Sequence, residues 1–543
     1  MSDGYEVKER RPFEDTRRTL HFWRRASGVY IAYKGAQARA AFLSKARGWD
    51  ADRLKEEFWK PHHTWAGKEF HSMAVDLRGF YLKLGQFFAA RAEFVPEPIC
   101  RKLSLLHDRV PPMPASQARA VIEEELGGLP LEEVFEWIDL DEPLGSASIA
   151  QVHKGRLKAV PQKDLPLDIR IAAKRQRRTF HSWQLGLGPE VLYTPTSRPT
   201  PPSTLPPGSS SAGDTETMEP TPLQLVQQEA ARKAVLRAAA SVGGPKDGIV
   251  AVKVQYPDAL PTMLTDLRSI RQWAGYLQKT EIKFDMVSAV DELAKQVVLE
   301  FDFRREAGVM DRVADNLKSL ARTVEIPRSV PELTTERLLV MSFVKGDQIT
   351  RLENRTKNLS ARKKNAAKKL IMDRVSRTFG VMMLGTGLFQ ADAHPGNILV
   401  MKGARIGLID YGQSKQLPDQ ERLAFAALLL ELGKGKHGAD PDVVAQRLQD
   451  LGLRFERYDN ARLISKMAFG MFDTRKSHKV DPFSDDSPIK ALGIAHFPPD
   501  VFFVLRVMQL LRGLAGGLGV EFSAAEQWTP YAKKALRRAG RSY

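Results

Sequence analysis

The chain has 543 residues, 43% of them hydrophobic, which is the size and composition of a globular protein with more than one domain-sized core. Its single cysteine, Cys100, excludes a disulfide framework and a cysteine-based zinc site. The formal net charge of +17 suits a membrane surface, a nucleic acid or a nucleotide, although a basic solvated surface explains it equally well. No RNA- or DNA-binding motif accompanies the charge, so we predict no nucleic-acid partner.

The first 69 residues form a basic region that we predict to be helical over 15–60. Residues 1–47 hold 11 Lys or Arg against 5 Asp or Glu. An organelle presequence is normally poor in acidic residues. Two interpretations therefore stay open, a presequence or a basic amphipathic helix that lies on a membrane surface.

A helical extension is predicted over residues 70–127. Its first helix, 70–92, has apolar residues at spacings of three and four, which place them on one helix face. These residues are Met73, Leu77, Phe80, Leu84 and Phe87. Pro96 and Pro98 end this helix, and a second helix covers 115–127.

Strand-like segments dominate residues 128–344. Residues 149–153, the β-branched run Ile249–Gln255 and residues 337–344 are predicted strands, with a helix over 285–310 before the last of them. Between the first two strands, the middle of the segment 160–247 is rich in Pro, Ser, Thr and Gly. Such a composition buries too little apolar surface to offset its ordering entropy, so we predict a disordered insertion over about 160–247.

Residues 345–543 are predicted to be mostly helical, with a long helix over 360–388 and a short strand pair at 391–410. The longest apolar runs do not reach the ~18–20 residues that span a bilayer. The run 501–520 carries Arg506 and Arg512, so we predict a core helix there and no transmembrane helix. The pattern predicts an α+β, protein-kinase-like bilobal fold with an extra N-terminal helical extension and a helical C-lobe.

Transfer or hydrolysis of a γ-phosphate needs a cation on the phosphates, magnesium ligands and an aspartate near the attacking group. Asp392 and Asn397 have the five-residue spacing of a kinase catalytic loop. Asp410 opens an Asp-Tyr-Gly motif 13 residues after Asn397, directly behind the apolar run 406–409. We predict that Asp392 orients the nucleophile and that Asn397 and Asp410 bind Mg²⁺.

Lys253, in the strand motif Val-Ala-Val-Lys, is the candidate for the α/β-phosphates of ATP. An ion-pair partner is expected on the helix 285–310, where Glu300, Asp302 and Glu306 are the candidates. The solvated charge of a strand edge is the alternative for such a lysine.

The stretch before the strand 149–153 is the candidate phosphate-binding turn, because small residues bring backbone N–H groups close to phosphates. Its residues are Gly145, Ser146, Ala147 and Ser148. A plain β-turn is the alternative. Met341 and Phe343, on the predicted strand 337–344, complete the candidate contacts of the adenine nucleotide.

Four features together resemble the UbiB, or AarF-type, family of atypical kinases. They are Lys83-Leu-Gly-Gln86, the small-residue loop Gly145 to Ser148, Glu300-Phe-Asp302, and His394-Pro-Gly-Asn397. The resemblance covers about residues 70–159 and 248–420, with a helical tail to about 520. The loop departs from the family, which often has three alanines and a serine there, and this puts the preference for adenine nucleotides in question.

The resemblance implies a kinase-like fold in which the Lys83 helix packs over the active site. It implies that Lys83 and Gln86 gate the site, that Glu306 pairs with Lys253, and that Glu300 and Asp302 face the gating helix. Family members are similar to ATPases or small-molecule kinases that support prenyl-quinone or other lipid metabolism. The cofactors implied are ATP and Mg²⁺.

The leading hypothesis is an atypical kinase-like ATPase or small-molecule or lipid kinase at a membrane. A nucleotide-binding pseudokinase that scaffolds a lipid-biosynthesis complex is the alternative. A conventional Ser/Thr protein kinase is disfavoured by the missing Gly-rich loop and activation segment. The expected partners are an adenine nucleotide and an anionic or prenyl-lipid membrane surface, with peripheral association in a mitochondrion or alternatively a plastid. A homodimer stays open.

Overall fold

The structure is a computed structural model, and it describes residues 12–89, 95–106, 112–159, 222–240, 247–280, 286–352, 357, 359–475 and 492–541. A layer of helices comes first in the chain. It contains α1 (Pro12–Arg47), α2 (Ala51–Arg53), a π-helical turn (Leu54–Trp59), α3 (Lys60–Leu77), α4 (Phe80–Ala89) and α5 (Glu97–Leu103).

The prediction of a single helix over residues 70–92 is wrong. Arg78 and Gly79 have φ values of 54° and 55°, in the left-handed region. Two such residues cannot continue a right-handed helix, so α3 ends and α4 begins as a separate helix. A Cβ atom added at Gly79 would lie 3.2 Å from the Asp266 carboxylate, so glycine is the residue that fits this position.

The strands are, in chain order, β1 (Phe135–Asp139), β2 (Gly145–Ser146), β3 (Ala150–Leu157), β4 (Ile249–Gln255), β5 (Val324–Glu325), β6 (Leu338–Ser342), β7 (Asp347–Gln348), β8 (Leu388–Gln390), β9 (Ile398–Val400), β10 (Ile406–Leu408), β11 (Ser414–Gln416), β12 (Arg454–Phe455) and β13 (Ile494–His496). Strands β1, β3, β4 and β6 lie side by side in an antiparallel sheet, and β2 pairs with β3. The other strands form the smaller sheets β5-β10-β9-β7, β11-β8 and β12-β13.

Strand β4 separates two cores. Its Val250, Val252 and Val254 are fully buried on one face, in a small core shared with the helices α6 (Ala115–Glu125) and α7 (Leu131–Val134). Side chains alternate along a strand, so Lys253 projects from the opposite face. The alternation therefore directs Lys253 towards the main core and away from these helices.

Helix α8 (Pro222–Ala240) lies inside the segment predicted as a disordered insertion. Its Val235 and Ala238 are buried in the small core, and Arg232 Nε lies 2.9 Å from Glu133 Oε2. Ala, Leu, Gln, Lys and Arg favour a helix, whereas the Pro-rich stretch before it does not. The predicted disorder is therefore wrong for residues 222–240, and residues 160–221 lie outside the described part of the chain.

The remaining helices are α9 (Ala259–Thr280), α10 (Met286–Leu299), α11 (Phe303–Asn316), α12 (Ala361–Val381), α13 (Asp419–Leu432), α14 (Pro441–Asp450), α15 (Ala461–Phe472), α16 (Pro499–Leu518) and α17 (Ala524–Arg538). The helix predicted over 285–310 is interrupted between α10 and α11. Asp302 is the N-cap of α11, and its side chain accepts a hydrogen bond from Arg304 N at 3.0 Å.

One stretch of the described residues, Asp500–Leu518 in α16, is long and apolar enough to cross a membrane by length and composition. Half of it is buried inside the structure. Val507, Met508 and Leu511 are fully buried in the main core with residues of α12 and α15. The prediction that no apolar run reaches spanning length is therefore wrong for this stretch, while the burial of these three residues is that of a helix packed in the core.

Replacing Gly380 by alanine is expected to lower the free energy of unfolding. An added Cβ would lie 2.7 Å from Cδ1 of the buried Trp528, and overpacking of this kind costs about 1–3 kcal/mol. Gly513→Ala is the matched control, because Gly513 is also helical but has open space around it. Urea unfolding measures both variants, and equal stability of the two would contradict this packing.

Candidate active site

Three distant segments bring their charges together around Lys253. Its Nζ lies 2.9 Å from both carboxylate oxygens of Glu306 on α11, and 3.4 Å from Oδ1 of Asp410. The ammonium group also lies 5.1 Å from the ring centroid of Phe303. The Lys253 side chain is 12% exposed and that of Glu306 is 4% exposed. A nearly buried lysine is thus neutralised by two carboxylates.

The surroundings shift the pKa of each of these three groups. Burial lowers the pKa of Lys253, but Asp410 and Glu306 outweigh it and raise that pKa above its usual range. Burial raises the pKa of Glu306 against the opposing effect of Lys253. Burial also opposes ionisation of Asp410, but Lys253 and the Gly412 N–H lower its pKa below the ordinary value. Asp410 is therefore ionised at neutral pH, and its side chain is 47% exposed.

The backbone at Asp410 is held in an unusual conformation. Its φ is 67°, a value that non-glycine residues rarely adopt. The fully buried Gln390 donates from Nε2 to the carbonyls of Ile409 at 2.7 Å and Asp410 at 2.6 Å. Tyr411 N donates to Glu306 Oε1 at 3.2 Å. These bonds fix the direction in which the Asp410 carboxylate points.

The segment containing Asp392 and Asn397 lies beside Asp410. Asn397 Nδ2 donates to the Asp392 carbonyl at 3.3 Å, and Ile409 N donates to the Asn397 carbonyl at 3.1 Å. Strand β9 begins directly after Asn397, and strand β10 ends directly before Ile409. The two strands pair in antiparallel register. The predicted magnesium ligands thus come from neighbouring strand ends.

Arg506 is a site residue that sequence reasoning did not assign. Its Nη2 donates to Asp392 Oδ1 at 3.0 Å from α16, 114 residues away in the chain. The sequence did contain a signal for an acidic partner, because an arginine inside an apolar core helix needs an anionic group to bind. The sequence does not show which acid is that partner, since only the packing of α16 decides it. Gln390 was quoted in the motif but was given no role.

Lys83 on α4 forms a salt bridge with Glu300, and both side chains are mostly buried. Asp302 points elsewhere, since its Oδ1 accepts from Arg304 Nε at 2.9 Å. The resemblance implied that both acids face the Lys83 helix, and the contacts show this for Glu300 alone. Gln86 lies within α4, but its side chain is outside the described part of the structure.

The candidate phosphate turn lies at the start of the sheet. Gly145 and Ser146 form β2, and Ala147 N donates to the Ala150 carbonyl at 2.8 Å. Ser146 Oγ lies 2.5 Å from the Tyr256 hydroxyl, so this serine is already paired. A side chain at Gly145 would meet no atom within 4 Å, which leaves space above the turn. Ser148 is half-buried.

The two other candidate nucleotide contacts lie on the sheet edge of the same core. Met341, on β6, is opposite Ala251 of β4 and is buried in the main core. Phe343 is half-buried just after β6, with Lys154 Nζ 4.9 Å from its ring centroid. Met341 therefore lines the face from which Lys253 also projects.

The residues around Asp410 fit a magnesium–nucleotide complex. No group of three or more His, Cys, Asp or Glu that could hold a metal occurs among the described residues. Magnesium bound with a nucleotide typically uses only one or two carboxylates together with phosphates and waters. The half-exposed, ionised Asp410 and the amide of Asn397 supply such a partial ligand set beside Lys253.

A sequence model of the ABC1 atypical kinase-like domain matches residues 105–166 and 235–438 of the chain. The gap between the two matches falls within the segment predicted as an insertion. The match includes Lys253, Glu306 and Asp410, whose contacts are described above.

Relatives cover most of the chain at low identity. Protein ACTIVITY OF BC1 COMPLEX KINASE 8, chloroplastic, of Arabidopsis thaliana is 25% identical over an alignment of 498 positions that covers 84% of this chain and 52% of the plant protein. AarF domain-containing kinase 1 of Drosophila melanogaster is 23% identical over 416 residues, 76% of this chain and 61% of the fly protein. This chain spans about half the length of the plant relative.

Among solved structures, Rv3197 of Mycobacterium tuberculosis in complex with erythromycin is 18% identical, with a TM-score of 0.49, and the match covers 90% of this chain and 98% of that one. The α+β, kinase-like class predicted from the sequence is confirmed by the family match and by the observed sheets and helices. The matched family and the named relatives show that the chain belongs to the ABC1, or UbiB/AarF-type, family of atypical kinase-like proteins.

Proposed function

We propose that this protein is an atypical kinase-like enzyme that binds ATP with Mg²⁺ and either hydrolyses it or transfers its γ-phosphate to a small-molecule or lipid acceptor. The observation that carries the proposal is the contact of Lys253 with both Glu306 and Asp410. Phosphoryl transfer depends mainly on positioning and on charge stabilisation. A fixed cation beside a fixed, ionised carboxylate supplies both requirements.

In this proposal each charged group has one task. Lys253, held by Glu306, binds the phosphates, while the turn at Gly145 offers them its backbone N–H groups. Asp410 and Asn397 hold magnesium, which neutralises negative charge on the phosphates when it is bound. Asp392 orients the attacking oxygen. The sheet half and the helical half act as two lobes with the nucleotide between them.

A small acceptor suits the surroundings better than a peptide. Helix α4 is bound to the site through the Lys83–Glu300 salt bridge. After Gly412 the chain enters β11 at Ser414 and α13 at Asp419, which leaves no room for a long activation segment. A conventional protein kinase needs that segment to hold its peptide substrate. These features favour hydrolysis or transfer to a small molecule.

The place of action is also a proposal. We place the protein peripherally at an anionic or prenyl-lipid membrane, supporting prenyl-quinone or other lipid metabolism. The names of three Arabidopsis relatives call those proteins chloroplastic, which supports a plastid for this chain. A mitochondrion remains the other candidate.

One observation favours a second function, a nucleotide-binding pseudokinase scaffold. The Asp392 carboxylate is bound by Arg506 at 3.0 Å. A carboxylate held by a guanidinium group is less available to orient an attacking hydroxyl or water. If this pair persists with nucleotide bound, the protein binds ATP without turnover.

Asp410→Asn is expected to lower magnesium-dependent ATP hydrolysis by about 100-fold or more, since loss of one group that stabilises transition-state charge costs about that much. Hydrolysis is measured with purified protein, with and without anionic vesicles. Asp459→Asn, at an exposed position, is the matched control and should keep full activity. Turnover retained in Asp410→Asn would contradict the site, and tight nucleotide binding without turnover in the wild type would favour the scaffold.

Arg506→Ala is expected to raise basal ATP hydrolysis by about 10-fold, because it frees the Asp392 carboxylate. A positioned acid–base group typically contributes about 100-fold or more to the rate of a reaction. Nucleotide affinity should change little, since Arg506 contacts Asp392 and not Lys253. Arg506→Lys keeps the charge and serves as the control. The rise must vanish in Arg506→Ala/Asp392→Ala, and a rise that survives there would rule out a role for Asp392.

Lys83→Met and Glu300→Gln are each expected to lower the free energy of unfolding by about 3 kcal/mol, because each leaves one buried charge without its partner. The double variant should lose less than the sum of the two. Arg271 and Asp291 form an exposed pair 2.7 Å apart and serve as the control cycle with little coupling. Urea unfolding gives both cycles, and additive losses at Lys83 and Glu300 would show that the salt bridge does not hold α4.

A further inference from the structure

The outer face of α1 carries three large apolar side chains that the fold leaves in solvent. Leu20 is 64% exposed, Ile31 is 68% exposed and Phe42 is 59% exposed. They stand 11 residues apart. With about 3.6 residues per turn, 11 residues make about three turns, so the three side chains form one row along the helix.

This row lies opposite the face that packs on the protein. The buried face of α1 consists of Phe22, Ala26, Val29, Ala36, Ala40 and Leu43. A surface helix normally presents polar residues opposite its buried stripe. Small residues separate the members of the outer row, among them Ser27, Gly28, Gly35 and Ala38. Each large apolar side chain therefore projects beyond these small residues.

Beyond its first turn, which holds Glu14 and Asp15, α1 carries charge of one sign. Residues 16–49 contain eight Lys or Arg and no Asp or Glu. Two of the arginines turn inward, where Arg18 binds Asp266 on α9 at 2.6 Å and Arg25 binds Asp76 on α3 at 2.5 Å. These salt bridges fix the rotation of α1 about its own axis.

The fixed rotation sends other basic side chains to the outer face. Arg17, Arg24 and Lys45 are exposed within about 60° of the apolar row, at about 100° per residue. The outer face thus combines projecting apolar groups with exposed basic side chains.

We propose that this outer face binds an anionic lipid bilayer, with α1 lying in the plane of the membrane. Leu20, Ile31 and Phe42 enter the acyl-chain boundary, and the basic side chains bind headgroup phosphates. The inference deepens the proposed function, since it names the surface behind the proposed membrane location.

Charge complementarity selects this partner over a second copy of the chain. A two-fold interface would set the basic stretch of α1, residues 16–47, against itself, and like charges repel across such a contact. A nucleic acid would suit the basic residues but would leave the apolar row without a role. An anionic bilayer satisfies both groups at once.

The test measures flotation of the full chain with vesicles, without nucleotide. Vesicles of phosphatidylcholine with phosphatidylglycerol are compared with vesicles of phosphatidylcholine alone. Binding is expected only to the anionic vesicles, and added salt should weaken it. Equal binding to both kinds of vesicle would overturn the proposal.

Two triple variants address the two components. Leu20→Ser/Ile31→Ser/Phe42→Ser is expected to weaken binding at least about tenfold, since apolar burial contributes to interfacial affinity. Arg17→Gln/Arg24→Gln/Lys45→Gln is expected to weaken it about 100-fold, at about fivefold for each basic residue. Wild-type affinity in the apolar variant would overturn the proposal.

Matched controls change equally exposed side chains elsewhere. Leu223→Ser/Leu225→Ser/Val226→Ser alters three exposed apolar residues on α8. Arg362→Gln/Lys363→Gln/Lys369→Gln alters three exposed basic residues on α12. Both should keep wild-type vesicle binding, and equal weakening in either control set would show that the α1 face is not the site.

Three further measurements distinguish a folding defect, a failure of the proposed function and a failure of the lipid proposal. Circular dichroism shows that each variant is folded, and ATP hydrolysis without vesicles should be unchanged in all of them. Because flotation uses no nucleotide, absent ATP turnover would defeat the proposed function while leaving the surface test valid. Light scattering completes the set, and a dimer that the apolar variant splits while still binding vesicles would assign the row to self-association and overturn the lipid proposal.

Discussion

A nearly buried lysine shared by two carboxylates is the contact on which the rest of the site depends. Lys253 comes from the central strand of the sheet, Glu306 from α11 and Asp410 from the turn after β10. An ammonium group away from water is stable only with compensating charge, so each element must keep its position for the others to be tolerated. The hydrogen bonds from Gln390 to the backbone at Asp410 extend this constraint into the helical half.

The same principle of paired charge recurs at the two ends of the site. Lys83 of α4 is compensated by Glu300, and Asp392 is compensated by Arg506 of α16. In both places one half of the pair comes from a helix outside residues 105–166 and 235–438, which the family model matches. Phe22 and Tyr81, with ring centroids 5.1 Å apart, then join α1 to α4. A change at the outer helix has a direct packing route to the helix that carries Lys83, beside the candidate site.

Short motifs were enough to predict the family and the kinase-like class, because order and spacing along the chain carry that information. Spacing left Glu300, Asp302 and Glu306 open as the partner of Lys253, and only the family resemblance implied the pairing with Glu306 that the structure contains. Contacts that depend on tertiary packing were beyond the sequence. The partner of Arg506 is one example. The helix break at Gly79 is another, because a periodic apolar pattern predicts a continuous helix even where it contains a glycine. Helix α8 was missed since the Pro-rich stretch before it dominated the composition of its window.

The ends of that long segment between β3 and β4 are close together. Arg156 is opposite Ile249, and Leu157 N donates to the Gly248 carbonyl at 2.9 Å. The closure entropy of a loop grows only with the logarithm of its length, about 0.6 kcal/mol for each doubling. Because β3 and β4 hold these ends together, lengthening the connection between them adds little closure entropy. This connection is the natural position for an inserted reporter domain, or for new chain termini in a circular permutant.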